Sequence, residues 1–402
     1  MERGAYGTAG LLAVALLAAC SACSAGGGEK DTTAMAGGAR TASVAFSPRD
    51  KSANVPTDQT VVVSATGGKL TGVRVDGGKA GKLPGVLSSD GTRWRSTATA
   101  RPGTAYTVTA VSVDPSGKRS EATSTFTTVK GKGTFDIATI TPNKDDTGLT
   151  VGVGMPIMIT FDKPVTDRVA IERNLVVRSS KPVEGAWHWF DSSHVDFRPQ
   201  EYWPAHTKVR LEAKLAGVQG APGLYGKRDV KLDFKIGRSQ ITKGSTDEHV
   251  LYVRRDGKRI RSMPMSAGQG GSWKYYTTSG IHLAMSREPV TVMTSPGIGP
   301  GQSGYYQLTV YNTVRISNSG EYVHSAPWSV GSQGNSNVSH GCVNVSPENA
   351  AWFIKNTLIG DPIIITGSPR KLEPTNGWGH WQEKWHEWLK WSTLKAGPTI
   401  TF

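Results

Sequence analysis

The sequence predicts a mainly β chain of several domains, and three observations carry that prediction. Short runs rich in Val, Thr, Tyr and Phe recur along most of the chain, divided by Gly, Asp and Pro turn residues. With 48 Gly and 22 Pro, such punctuation is too frequent for long helices. The 402 residues, at ~100–200 per domain, leave room for a few domains that each bury a core. Composition excludes other classes. Twelve Trp and 11 Tyr beside only 19% charged residues are unlike a disordered chain. Three Cys form at most one bridge, too few for a disulfide-stapled scaffold of this size.

The elements follow in chain order. Residues 10–19 are an apolar run ending at Cys20, long enough for a secretory h-region and too short to span a bilayer. Leu17-Ala18-Ala19-Cys20 resembles the bacterial lipobox, in which the Cys becomes the lipid-modified first residue of the mature protein. Residues 1–19 are therefore expected to be a lipoprotein signal peptide, with an ordinary cleaved signal as the plainer alternative. Cys20 is the expected lipidation site, and the protein is expected on the extracytoplasmic face of the cell membrane. Removing residues 1–19 takes away Glu2 and Arg3 and leaves the formal charge at +14. Residues 20–44 are rich in Ser, Ala and Gly and read as a flexible tether; Cys23 lies within it and receives no catalytic role. No later stretch has the run of apolar residues that a membrane span needs.

Residues 45–129 hold strand signals at Thr60-Val61-Val62-Val63, Val73-Arg74-Val75, 106–111 and 123–127, with turns at Asp76-Gly77, Asp90-Gly91 and Asp114-Pro115. That spacing predicts an immunoglobulin-like β-sandwich. Residues 130–238 repeat the pattern at 156–161, 194–197 and 208–213, and predict a second one. The two modules end alike, in Ser-Thr-Phe-Thr-Thr and Lys-Leu-Asp-Phe-Lys. His188, His194 and His206 read as structural rather than as metal ligands, His188 and His194 as half-buried strand positions around a hairpin; no His-Glu-x-x-His or paired-Cys metal spacing occurs.

Residues 239–367 open with a hairpin, His249-Val250-Leu251-Tyr252-Val253 turning at Asp256-Gly257. Strands are predicted at 281–285, 290–293 and 362–366. Ser346 as N-cap and Pro347 as first residue predict a helix over 347–355. Within this segment His324-Ser325-Ala326-Pro327-Trp328 precedes Ser339-His340-Gly341-Cys342-Val343-Asn344. A lone Cys with a nearby His is a candidate nucleophile, because an imidazole partner is expected to raise the thiolate fraction of a thiol near pKa 8.5. Gly341 permits a sharp turn that points backbone N–H groups at a developing oxyanion.

The two halves of this motif, at this separation, closely resemble the L,D-transpeptidase family of bacterial cell-wall enzymes, over residues 239–367. The arrangement of lipobox, two immunoglobulin-like modules, catalytic domain and Trp-rich tail is similar to its actinobacterial lipoprotein members. The resemblance implies that Cys342 is the acyl-accepting nucleophile, His324 its base and acid, and Ser325 the residue orienting His324 through its carbonyl. It implies oxyanion-hole amides from His340, Gly341 and Cys342. Substrate contacts would come from Tyr306, Ser319, Gly320 and Asn344, with Trp328 and Met293 lining the pocket. Residues 294–318 would form a lid that excludes water. Thr278-Ser279-Gly280 stands where the family commonly has a Pro-containing turn. The lid Tyr expected near Pro296 is missing, with Tyr305 or Tyr311 as substitutes. The implied reaction is attack on a donor tetrapeptide stem of peptidoglycan with release of D-Ala, then transfer to an acceptor amine as a 3→3 cross-link. Neither cofactor nor metal is implied, and carbapenem-type β-lactams are the implied inhibitors.

Residues 368–402 carry Trp378, Trp381, Trp385, Trp388 and Trp391 at steps of three, four, three and three, which predicts one aromatic stripe on a helix. Packing against the neighbouring modules is the expected role, with a membrane interface or glycan stacking as the alternative. The +14 charge fits acidic wall polymers, stem carboxylates or lipid head groups, and no nucleic-acid partner is expected. Rival functions are an L,D-carboxypeptidase, an enzyme attaching proteins to the wall, and a non-enzymatic wall-binding lipoprotein.

Overall fold

The computed structural model describes residues 42–295, 298–303 and 305–402. The signal peptide, Cys20, Cys23, almost all of the tether and Pro296 lie outside the described residues.

The first module is a sandwich of two four-stranded sheets. One sheet runs Ser43–Ser47, Val62–Thr66, Arg93–Ser96 and Gly85–Leu87; the other runs Ser52–Val55, Arg119–Thr128, Ala105–Val113 and Lys69–Asp76. Ala105–Val113 alternates as a half-buried strand must, sending Tyr106, Val108 and Ala110 into the core. Tyr106 stacks on Phe126 at 5.1 Å.

The second module pairs two five-stranded sheets. Phe126 and Phe234, the aromatic residues of the two similar module endings, are both buried in their own sandwich cores. The histidines are structural but not alike. His188 is fully rather than half buried, and His194 Nε2 lies 2.8 Å from Asp196 Oδ1. His206, by contrast, is an exposed turn residue with φ +59°, ahead of the strand Lys208–Ala213.

The third segment builds a nine-stranded sheet. Its strands are β1 (Gln240–Ser245), β2 (Val250–Arg255), β3 (Lys258–Ser266), β4 (Gly280–Leu283), β5 (Ser286–Thr294), β6 (Gln307–Arg315), β7 (Tyr322–Ser325), β8 (Val343–Val345) and β9 (Pro362–Thr366). Their order is β4-β9-β1-β2-β3-β8-β7-β6-β5. The helix Pro347–Asn356 has Ser346 as its N-cap, accepting from the Asn349 N–H, and buries Ala350 and Phe353. A joint fixes this segment to the second module. Arg238 donates to both carboxylate oxygens of buried Asp361 at 2.8 and 2.6 Å, and the N–H of Gly152 bonds the Ile359 carbonyl. A Cβ on Gly152 would stand 2.2 Å from the Asp361 nitrogen, so only glycine allows this approach.

The Trp-rich tail is not one helix. Only Trp385–Trp388, continued by a 3-10 turn at Leu389–Trp391, is helical; Trp378 and Trp381 sit in turns. Gly377 at φ +90°, and Gly379 with the Pro374 carbonyl 2.4 Å from its Cβ position, fold the start of the tail back on itself. The tail ends by adding Gly397–Pro398 and Ile400–Thr401 to the two sheets of the second module.

Candidate active site

The sheet closes the gap between the two halves of the motif. β7 and β8 are parallel, with Val323 opposite Val343, His324 opposite Asn344 and Ser325 opposite Val345. Side chains on a strand alternate, so Tyr322 and His324 share one face, as do Cys342 and Asn344. Cys342, just before β8, therefore falls in the row of Tyr322, diagonal to His324.

His324 is 3% exposed, and its Nδ1 lies 2.9 Å from the Ser325 carbonyl. A carbonyl only accepts, so Nδ1 carries the proton and the Nε2 lone pair of the neutral ring is left to take one. Burial pulls the His324 pKa below its ordinary value, opposed by hydrogen bonds with the Ser325 carbonyl and the Asn344 side chain. Asn344 is itself held, donating from Nδ2 to Ser329 Oγ at 3.1 Å.

Cys342 is partly exposed at the floor of a pocket. Its Sγ lies 3.6 Å from the Gly320 carbonyl and is hydrogen-bonded by the Tyr322 N–H. Burial by the surrounding protein pushes the thiol up to about 12; Glu321 adds to the rise and the Tyr322 amide opposes it. Desolvation thus works against the thiolate that an imidazole partner is expected to favour. Both residues line one pocket, and burial disfavours the charged form of each.

Gly341 has φ +127°, in the region that favours glycine. The turn around it is clamped: Ser339 Oγ donates to the Cys342 carbonyl at 2.6 Å and accepts the Gly341 N–H at 3.1 Å, and Thr277 Oγ1 donates to the Gly341 carbonyl at 2.7 Å. The Gly341 amide is thus engaged in this structure, unlike the oxyanion role expected of it. His340 packs between Tyr275 at 4.8 Å and Tyr306 at 5.3 Å, as part of the pocket wall.

The pocket encloses about 950 Å³. Met293, Tyr306, Ser319, Gly320, Trp328, His340 and Asn344 all line it together with His324 and Cys342. Ser325 does not, and acts on the site only through its carbonyl. Within the expected lid, Gln307–Arg315 is the strand β6, paired antiparallel with β5; Val290, Val292 and Tyr311 on this pair are more than half exposed. Of the two tyrosines expected to substitute in the lid, neither Tyr305 nor Tyr311 reaches the pocket; Tyr306 does.

Sequence reasoning missed three charged residues of this pocket, Glu321, Lys274 and Arg370. Glu321 is buried and accepts from the Thr278 N–H at 2.5 Å, Thr278 Oγ1 at 2.8 Å and Ser319 Oγ at 3.3 Å. Its signal was available: it lies three residues before His324, where an apolar residue would otherwise begin a buried strand. Thr278-Ser279-Gly280, which leads into β4 rather than forming a turn, anchors both this carboxylate and the tail: Thr278 donates to Glu321, and the Ser279 N–H donates to the Arg370 carbonyl at 2.7 Å. Arg370 itself had no local signal.

Comparison with known proteins agrees with this architecture. The family described as the L,D-transpeptidase catalytic domain matches residues 241–365, and the bacterial Ig domain family matches residues 52–219. L,D-transpeptidase 5 of Mycobacterium tuberculosis is 34% identical over 365 residues, which are 89% of this chain and 79% of that protein. L,D-transpeptidase 1 of the same organism is 40% identical over 233 residues, 58% of this chain and 85% of that one. A solved structure of the LD transpeptidase LdtMt1 in complex with imipenem is 39% identical, covers 57% of this chain and 99% of its own, and superposes with a TM-score of 0.49. With Cys342 and His324 lining one pocket and a relative 34% identical that is matched over 79% of its length, the chain belongs to the L,D-transpeptidase family of enzymes.

Proposed function

We propose that this protein forms 3→3 cross-links in peptidoglycan through a thioester on Cys342, and the observation that carries the reading is the shared pocket of Cys342 and His324. The Cys342 thiol attacks the carbonyl carbon preceding the terminal D-Ala of a donor tetrapeptide while its proton passes to His324 Nε2. The oxyanion faces the amides of His340 and Cys342, the Gly341 amide being held by Ser339. The peptide C–N bond breaks, His324 returns the proton to the departing D-Ala amine, and the acyl group stays on sulfur. An acceptor amine on a neighbouring stem then attacks the thioester and gives up a proton through His324. The C–S bond breaks and the thiol is restored. Tyr306, Ser319, Gly320 and Asn344 hold the donor stem, and the β5–β6 hairpin covers it.

Incubation with disaccharide-tetrapeptide, followed by mass spectrometry, tests this. A dimer with loss of D-Ala is expected, and Cys342→Ala is expected to yield none. Monomeric tripeptide as the sole product would instead mean that water takes the acyl group. The same nucleophile is expected to open a carbapenem-type β-lactam, adding the intact drug mass because ring opening releases no leaving group. We further place the enzyme at the extracytoplasmic face of the membrane through lipidated Cys20. Cys20→Ala is expected to move it from the membrane to the soluble fraction.

A further inference from the structure

The C-terminal tail brings a cation into the Cys342 pocket. Arg370 lines that pocket and its side chain is 13% exposed. Its place is set from both sides by strand-like bonds: the Ser279 N–H donates to the Arg370 carbonyl at 2.7 Å and the Leu372 N–H to the Ser279 carbonyl at 2.9 Å. Ser279 Oγ adds a bond to the Ser368 carbonyl at 2.8 Å and accepts the Ser368 N–H at 2.9 Å. The guanidinium so fixed is poorly satisfied. Its Nε is buried without a hydrogen-bond partner, and its ion-pair contact is Glu373 at 3.9 Å. Glu373 is itself half exposed and takes the Asn376 amide at 3.0 Å. A desolvated cation without a close counter-charge is unfavourable unless a ligand supplies one. The guanidinium fork matches a carboxylate through two parallel N–H donors. Lys274, on the same pocket, adds to the positive field, while Glu321 is already occupied by Thr278 and Ser319.

We propose that Arg370 is a specificity-determining residue that binds a carboxylate of the donor stem peptide. The inference rests on the function proposed above and deepens it, because it gives the tail a part in substrate choice. The carboxylate is either the terminal one, which leaves with D-Ala, or one borne along the stem.

Binding of three tetrapeptides to the full chain carrying Cys342→Ala distinguishes these sources: the free acid, the terminal carboxamide and the stem-carboxylate amide. One amide is expected to bind roughly tenfold to hundredfold more weakly than the free acid, the range of a charge-assisted hydrogen bond. Adding Arg370→Gln is expected to weaken the free acid to that same level and to abolish discrimination. Arg370→Lys is expected to restore part of the affinity and the discrimination, with melting temperatures close to the parent. Equal weakening of all three peptides by Arg370→Gln, or none, overturns the inference while leaving the proposed function standing. Failure of the Cys342→Ala chain to bind any of the three overturns the proposed function and this inference with it.

Discussion

Burial disfavours both the Cys342 thiolate and the His324 imidazolium, and that bears on what the thiol does before substrate arrives. With the thiol pushed up to about 12 by burial, the thiolate fraction grows about tenfold per pH unit across the neutral range. Alkylation by iodoacetamide is therefore expected to climb through pH 6–9 without a plateau; a neutral-pH plateau would reveal a thiolate–imidazolium pair instead. Turnover needs His324 as the free base, and burial has moved its pKa below 6.5. The acid limb of kcat/KM is expected below pH 6.5 accordingly. The Glu321 carboxylate also pushes the thiol up. Glu321→Gln, which keeps an acceptor for the Thr278 N–H, is expected to lower the thiol pKa and speed alkylation. Cys342 and His324 were legible as candidates in the sequence because thiol, imidazole and glycine at this spacing have few other uses, and the fold brings both to one pocket. Their protonation was not, because desolvation depends on what the fold packs around them.

At the level of elements, the parallel pairing of β7 with β8 does the assembling. Asn344 sits opposite His324 in that register and hydrogen-bonds both the ring and Ser329. Because the Asn344 contact raises the His324 pKa, Asn344→Ala is expected to shift the acid limb further down. It is also expected to lower kcat/KM about tenfold, the worth of one hydrogen bond to a charged group. The helix after β8 was legible through its Ser346 cap and Pro347, since capping is a local interaction. The Trp stripe misled for the opposite reason. Its period reports a common face, but the five rings reach different partners from turns and a short helix. Trp381 donates to the Gly154 carbonyl at 2.8 Å, Trp388 to the Ala186 carbonyl at 3.1 Å, and Trp391 stays exposed.

Over the whole molecule, the tail is a clasp that ties catalytic sheet to second sandwich. Arg198, buried in the sandwich, lies 4.8 Å from the Trp381 ring, 5.1 Å from Trp385 and 4.8 Å from Trp388, and donates to the Glu383 carbonyl at 3.0 Å. Buried Glu172 accepts from the Trp189 indole and the N–H groups of Thr393 and Leu394. Trp388→Ala is expected to lose about 3–5 kcal/mol, read from denaturant unfolding, since it empties a fully buried site and uncovers Arg198. The clasp also has an acid-sensitive part. His188 packs on Trp388 at 4.3 Å and burial holds its pKa down at about 4, aided by His380 and Arg198 and opposed by the Trp388 carbonyl and Asp196. Glu383 lies 3.6 Å away. Such a group stabilises above its unfolded value near 6.5, and that contribution, on the order of 3 kcal/mol, is lost as pH falls toward about 4. His194 runs the other way: Asp196 raises its pKa, so its contribution is present below its unfolded value and lost as pH rises through the folded one. Melting temperature between pH 7 and 5 is expected to fall less steeply in His188→Phe than in the parent.

By itself the sequence determined the β class, the family and the candidate pair Cys342 and His324, because alternation, capping and a short motif are written in local residue order. Tertiary structure alone decided the burial of both residues, the placement of buried Glu321 in their pocket and the arrival of Arg370 from the tail. These depend on desolvation and on contacts between residues far apart in the chain, which no local pattern encodes.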